Sequence, residues 1–276
     1  MNRRTAKAAE FEPYFSGTKL YGDDFDLEQL REWYDDEREG YVRLAVKSRS
    51  DPQYSSHAKN VRYGYRLLPA GKFHSVLGFG AADGREFLPI LSRIERLTIV
   101  EPSDAYAISA IGKVPVTYAK PGADGTLPFT DDAFDLATCF GALHHVAKVG
   151  HVVEELFRCL RPSGFLLVEE PTISMGDWRK PRPGLTRRER GIPLRLFRQI
   201  MFSAHFEIVR ERRILFAATT KLGSLLGTNL RASDTGLRLD EMLCALFSWN
   251  TKYHPETLVE WLLPTNVFYV LHKPSS

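Results

Sequence analysis

The chain has 276 residues, 43% of them hydrophobic and 26% charged, with a formal net charge of +3. That is long enough for one sizeable α/β domain with additions. The composition excludes a collagen-like or low-complexity chain, and the charge is too small to argue for a nucleic-acid partner. Cys139, Cys159 and Cys244 are odd in number, sit in apolar segments and lack zinc-site spacing, so they read as small buried residues of a reducing compartment. No apolar run approaches transmembrane length and Met1–Arg4 precede no hydrophobic signal region, so the expected location is cytoplasmic.

Nine acids lie between residues 23 and 39, with Leu27, Leu30, Trp33 and Tyr34 at helical spacing among them. The pattern predicts an acidic amphipathic helix, then a second helix through Tyr41, Leu44, Ala45 and Val46. Tyr54, His57, Tyr63 and Tyr65 follow. Each tyrosine fits a satellite core better than a ligand contact. Residues 1–70 are expected to form a helical extension or cap, and residues 71–276 the main domain.

The main domain opens with a short apolar run, Val76-Leu77, and a turn, Gly78-Phe79-Gly80-Ala81-Ala82-Asp83-Gly84. An apolar-periodic segment follows, Phe87-Leu88-Ile90-Leu91-Ile94, then a second apolar run, Leu97–Val100, closed by Glu101. This reads as a strand–turn–helix–strand unit. Glycines let a ligand approach the backbone, a helix start offers unpaired N–H groups, and a carboxylate ending the second strand accepts hydrogen bonds from a ribose diol. Nicotinamide dinucleotides and S-adenosylmethionine (SAM) both suit that geometry.

Three motifs downstream separate the two. They are Leu127-Pro128-Phe129 leading to Phe134-Asp135, then Ala142-Leu143-His144-His145-Val146, then Leu160-Arg161-Pro162-Ser163-Gly164 with the strand to Pro171. With the glycine turn, this order over about residues 74–171 resembles the class I SAM-dependent methyltransferases, particularly the type 11 group. The resemblance implies a Rossmann-like, doubly wound, mostly parallel seven-stranded α/β sheet with helices on both faces. A helical N-terminal extension and a helical insertion before the last strand complete the expected fold. Strands are expected near 74–79, 96–101, 114–118, 134–140, 164–170, 206–214 and 266–273.

The implied cofactor is SAM, held by Gly78, Phe79, Gly80, Ala81, Asp83, Gly84, Glu101, Pro102, Asp124, Gly125, Phe140 and Gly141. Asp124 resembles the family's adenine contact. The family's acid at the end of the first strand is replaced by Gly78, and its middle glycine by Ala82. Asp83 is a candidate substitute for the missing acid.

A hydroxyl acceptor needs a general base, which His145 or His144 would supply, with Glu170 as its partner. His145 is the first choice. Methyltransferases acting on sugar hydroxyls resemble this arrangement. Residues 177–198 carry eight Lys or Arg against two acids. They read either as a site for an anionic substrate or as a solvated face or partner for the acidic helix. Arg190, Trp178, Tyr253 and His254 are the candidate substrate contacts, and residues 217–265 a candidate substrate lid. No metal site is expected. The reading is a methyltransferase for a hydroxyl of a small molecule, sugar-like, anionic or glycosylated. The alternatives are an aromatic or lipid acceptor, or a SAM-binding protein without catalysis.

Overall fold

The structure is a computed structural model and describes residues 10–48, 54, 56–219, 223 and 233–275. Its centre is an eight-stranded sheet. In chain order the strands are β1 (Val76–Phe79), β2 (Leu97–Val100), β3 (Ala110–Ile111), β4 (Val114–Ala119), β5 (Phe134–Phe140), β6 (Leu160–Pro171), β7 (Glu207–Phe216) and β8 (Pro264–His272). They lie in the order β3-β4-β2-β1-β5-β6-β8-β7. β4, β2, β1, β5 and β6 run parallel to one another, while β8 is antiparallel to both β6 and β7. Seven strands match the expected set. The eighth, β3, is a two-residue edge strand antiparallel to β4, too short to carry a period-two signal.

Alternation along the central strands builds two cores. Leu77, Ala137, Cys139, Leu166 and Val168 face one cluster, and Val76, Leu97, Leu136 and Leu167 face the other. Helices α3 (Val149–Cys159) and α4 (Leu194–Ser203) cover the first face. In α3, Val149, Val152, Val153, Leu156 and Cys159 are buried, the three- and four-residue spacing of one helix stripe. The second face is covered by α2 (His57–Tyr63), by a 3₁₀ segment Arg85–Arg93 and by Leu237 of α5 (Asp234–Leu246).

Two helical expectations change. The segment after the glycine turn is 3₁₀ rather than α, with Pro89 inside it and Gly84 left-handed just before it. Proline has no N–H to donate and its ring clashes with the carbonyl four residues back, so an α-helix does not propagate there. Where two helices were expected across residues 23–46, one continuous helix, α1 (Leu27–Ser48), is found.

α1 docks through Leu30 and Trp33, each 2% exposed, against Ala147 just past the 3₁₀ turn Leu143–His145. The Trp33 indole N–H donates to the His145 carbonyl at 2.7 Å. Acidic α1 also pairs with the basic loop: Arg188 reaches Asp36 at 2.6 Å and Glu32 at 3.3 Å, and Arg187 reaches Asp36 at 3.3 Å. Among the described residues, no helix is long and apolar enough to cross a membrane.

Candidate active site

A pocket partly open to solvent lies at the carboxyl ends of β1, β2 and β5. That is where open α/β sheets bind ligands, because neighbouring loops diverge there and leave a crevice. Phe79 and Gly80 line it from β1, Val100, Glu101 and Pro102 from β2, and Gly141, Ala142, His145, Val146 and Ala147 from the segment after β5. Gly122, Ala123 and Gly125 contribute another wall, and α1 supplies Trp33, Tyr34, Glu37 and Arg38.

Two glycines are required by this geometry. Gly80 has φ +66°, and a Cβ on it would sit 2.5 Å from the Ala142 Cβ. Gly125 has φ +96°, and its Cβ would meet Val152 Cγ2 at 2.4 Å. A side chain at either would strain the backbone and displace a pocket wall.

Glu101 is 2% exposed and follows β2 directly. Burial pushes its carboxyl up to about 7, against the opposing pull of the Ser103 and Ala82 backbone N–H groups. Desolvation disfavours the charged form, and a diol donating to it would relieve that penalty.

The histidines find different carboxylates. His144 Nδ1 lies 2.7 Å from Glu170 Oε2. Glu170 also accepts the backbone N–H groups of Ala142 (2.7 Å), Leu143 (2.6 Å) and His144 (3.3 Å), so it holds the turn that carries both imidazoles. Burial alone would depress His144; the charge and hydrogen bond of Glu170 overcome it and leave His144 raised. His145, the imidazole that lines the pocket, sits with Nδ1 2.7 Å from Glu37 Oε2 and 3.4 Å from Glu189 Oε2. The expected His145–Glu170 pair is therefore corrected to His144–Glu170 and His145–Glu37. Adjacent residues on a tight turn aim their rings at different neighbours, and the second neighbour comes from α1.

Several other expected site residues stand elsewhere. Gly78 is enclosed, a Cβ there meeting Ala81 at 2.7 Å and Phe87 at 2.9 Å, so the space for a strand-end acid is filled. Asp83 does not replace that acid in the pocket lining: it pairs with Arg85 at 2.9 Å. Ala81 and Gly84 shape the loop behind the lining, and Phe140 packs against Tyr65 and Phe268. Asp124 accepts from the Thr126 backbone N–H at 3.0 Å, while its neighbours Ala123 and Gly125 line the pocket.

Arg190 does not face the pocket. It is fully buried, donates to the carbonyls of Tyr21 (2.8 Å), His144 (3.2 Å) and Ala147 (3.0 Å), and lies 5.0 Å over the Trp33 ring. Trp178 stacks on Phe15 and Tyr21, Tyr253 donates its hydroxyl to the Gly191 carbonyl, and His254 pairs with Ser174 Oγ. None of these four lines the pocket. The described part of 217–265 does not line it either. There α5 lies along β7, where Asp240 accepts the Leu215 and Phe216 N–H groups. Residues 220–222 and 224–232 of the expected lid lie outside the described residues.

α1 supplies pocket residues that sequence reasoning did not single out, Glu37 above all. Leu30, Trp33 and Glu37 stand at i, i+3 and i+7, so helical spacing alone places Glu37 on the apolar face. An acid in that register was the available signal.

Among the described residues, His144, His145 and Glu189 bring three potential metal-ligand atoms within 4.8 Å of one another. Each imidazole is already engaged through Nδ1 by a carboxylate.

The pocket fits an adenosine moiety. Glu101 suits a ribose diol, and Val100, Pro102, Gly122 and Ala123 offer apolar and backbone surface to a flat base. The family's strand-end acid for the methionine ammonium has no counterpart at Gly78.

Sheet order, glycine turn and the carboxylate after β2 together define a nucleotide-cofactor-binding α/β protein. Residues 77–168 match the sequence profile of the family described as "Methyltransferase domain". The "Uncharacterized methyltransferase YcgJ" of Bacillus subtilis is 34% identical over 104 residues, which span 35% of this chain and 40% of that relative. Two solved structures share the fold. The 1,6-didemethyltoxoflavin-N1-methyltransferase of Burkholderia thailandensis, solved with 1,6-didemethyltoxoflavin and S-adenosylhomocysteine bound, has a TM-score of 0.55 at 16% identity, covering 91% of this chain and 93% of its own. The [4+2]-cyclase SpnF has a TM-score of 0.51 at 15% identity, covering 80% of this chain and 82% of its own. Residues 77–168 thus carry the sequence signature of a methyltransferase domain, on a fold shared with solved methyltransferases. The cofactor of that family is SAM.

Proposed function

We propose that this chain transfers a methyl group from SAM to a hydroxyl of a small molecule, with a sugar-like or glycosylated metabolite as the acceptor class. The observation that carries the reading is that His145 and Glu101 line one pocket. When bound, SAM supplies a methyl group on a cationic sulfur. Glu101 accepts the ribose hydroxyls, and the backbone at Gly80 leaves room for the ligand. His145 would take the proton of the acceptor hydroxyl as the oxygen's electron pair forms the new bond to the methyl carbon, while the carbon–sulfur bond breaks with its pair to sulfur and S-adenosylhomocysteine leaves. Trp33, Val146 and Ala147 exclude water from that point, which favours transfer over hydrolysis.

The basic loop 177–198 gives no support to an anionic acceptor. Arg182 and Arg190 are spent on carbonyls, Arg179 on Asp177, and Arg187 and Arg188 on acidic α1. A neutral hydroxyl compound fits better. Trp33, Tyr34 and Phe79 in the lining favour a second reading, an aromatic acceptor bound against these rings. A third reading is SAM binding without transfer, since one fold hosts different activities and a [4+2]-cyclase shares this one.

The test combines calorimetry with SAM and a mass-spectrometric screen of sugars, glycosides and phenols for gain of one methyl group. A sugar or glycoside product supports the proposal, a phenolic product supports the second reading, and binding without any product supports the third. His145→Ala should lower turnover about 10²–10⁴-fold and leave SAM affinity nearly intact. Parent-like turnover in that variant would remove His145 as the base.

A further inference from the structure

The methyltransferase domain does not complete the surroundings of His145. Glu37 on α1 is 5% exposed, and its carboxylate is fixed from several sides. Oε2 lies 2.7 Å from His145 Nδ1 and accepts the Thr186 hydroxyl at 2.5 Å, while Oε1 accepts the Arg188 backbone N–H at 2.8 Å. One turn earlier on the same helix, Trp33 donates to the His145 carbonyl. α1 thus grips residue 145 at both its main chain and its ring.

An ionised carboxylate is acceptor-only, so the nitrogen facing it carries the proton. In neutral imidazole the other nitrogen then bears the lone pair. We infer that Glu37 is a positioning residue that holds His145 in the Nδ1–H tautomer with Nε2 as the proton-accepting atom. The reaction machinery is therefore divided between the N-terminal extension and the methyltransferase domain. This inference rests on the reading of His145 as base. When Nε2 takes the hydroxyl proton, the ring that carries the new charge lies 2.7 Å from the Glu37 carboxylate.

The competing explanation is that Glu37 merely fastens α1. That helix has its own fastenings, since Asp36 and Glu32 pair with Arg188 without touching His145. The two roles therefore separate by mutation.

The experiment uses the full chain, labelled with ¹⁵N-histidine and saturated with S-adenosylhomocysteine. Long-range ¹H–¹⁵N spectra then report which ring nitrogen of His145 is protonated, with His145→Gln assigning the signals. The parent should show the Nδ1–H form. Glu37→Gln should lower the ratio of Nδ1–H to Nε2–H about tenfold, the scale set by losing a charge-assisted hydrogen bond. Asp36→Asn should keep the parent pattern. If Glu37→Gln does not fold, Glu37→Asp withdraws the carboxylate by one methylene and should produce the same shift. An Nε2–H parent, an unchanged ratio in the Glu37 variants, or the same shift in Asp36→Asn would overturn the inference. If the tautomer shifts as expected while His145→Ala methylates like the parent, positioning stands and the base assignment fails.

Discussion

His145 Nδ1 lies 2.7 Å from Glu37 Oε2, across 108 residues of chain, and this contact joins the N-terminal helix to the turn after β5. With it, α1 becomes a wall of the pocket. The same relationship separates the histidines, His145 facing the pocket and His144 belonging to the hydrogen-bonded turn around Glu170.

Glu101 should set the pH dependence of SAM binding. Its carboxyl titrates near 7, and the ionised form is the better acceptor for a ribose diol. SAM affinity should rise as pH increases through about 7, with proton release on binding below that pH. Glu101→Gln should flatten the profile, and Glu101→Ala should cost about 1.5–3 kcal/mol of affinity. Titration calorimetry in buffers of different ionisation enthalpy measures both; a pH-independent parent would place the ribose elsewhere.

Arg190 should behave as a structural cation. It satisfies three carbonyls around Trp33, and burial lowers its guanidinium to about 10. Lysine cannot reproduce a planar fork aimed at separate carbonyls. Arg190→Lys should therefore lose about 2–4 kcal/mol of stability by chemical denaturation. A folded, fully stable variant that lost only acceptor affinity would return Arg190 to the substrate site.

The tight approach at Gly80 predicts a backbone penalty together with a binding defect. Gly80→Ala should cost about 1–3 kcal/mol of stability, because a Cβ is disfavoured at positive φ and collides with Ala142. SAM binding should weaken with it, since Gly80 lines the pocket. Normal thermal stability and normal calorimetric affinity would contradict the packing described here.

Glu86 predicts a pH-dependent stability term that disappears on mutation. Burial raises its carboxyl from 4.5 to about 7, with the Thr138 hydroxyl and Lys59 pulling the other way. The folded-state value exceeds the unfolded one, so its contribution is fully present below pH 4.5. It is lost as pH rises, completely above about 7, and amounts to at most about 3 kcal/mol. Glu86→Gln keeps an acceptor for Thr138 and cannot ionise. The variant should gain on the parent between pH 5 and pH 8 in denaturant titrations, and a constant difference across that range would refute the assignment.

Much of the sheet was legible in the sequence because its signals are local. Val76-Leu77, Leu97–Val100 and Phe134–Phe140 are short apolar runs bounded by turns, and a strand buried on both faces can hardly read otherwise. Glu101 was legible for the same reason: its place immediately after an apolar run puts it at the strand's carboxyl end. What tertiary structure alone decided was which carboxylate meets which imidazole and what closes the pocket. Glu37 was one acid among nine in its segment, and Glu170 and Glu37 were equally available by composition. The choice depends on α1 docking by Trp33 against the His145 carbonyl, a contact set by packing between elements more than a hundred residues apart. Arg190 shows the converse. A basic stretch declares its charge, but whether each guanidinium meets solvent, a carboxylate or three buried carbonyls depends on how neighbouring elements close around it.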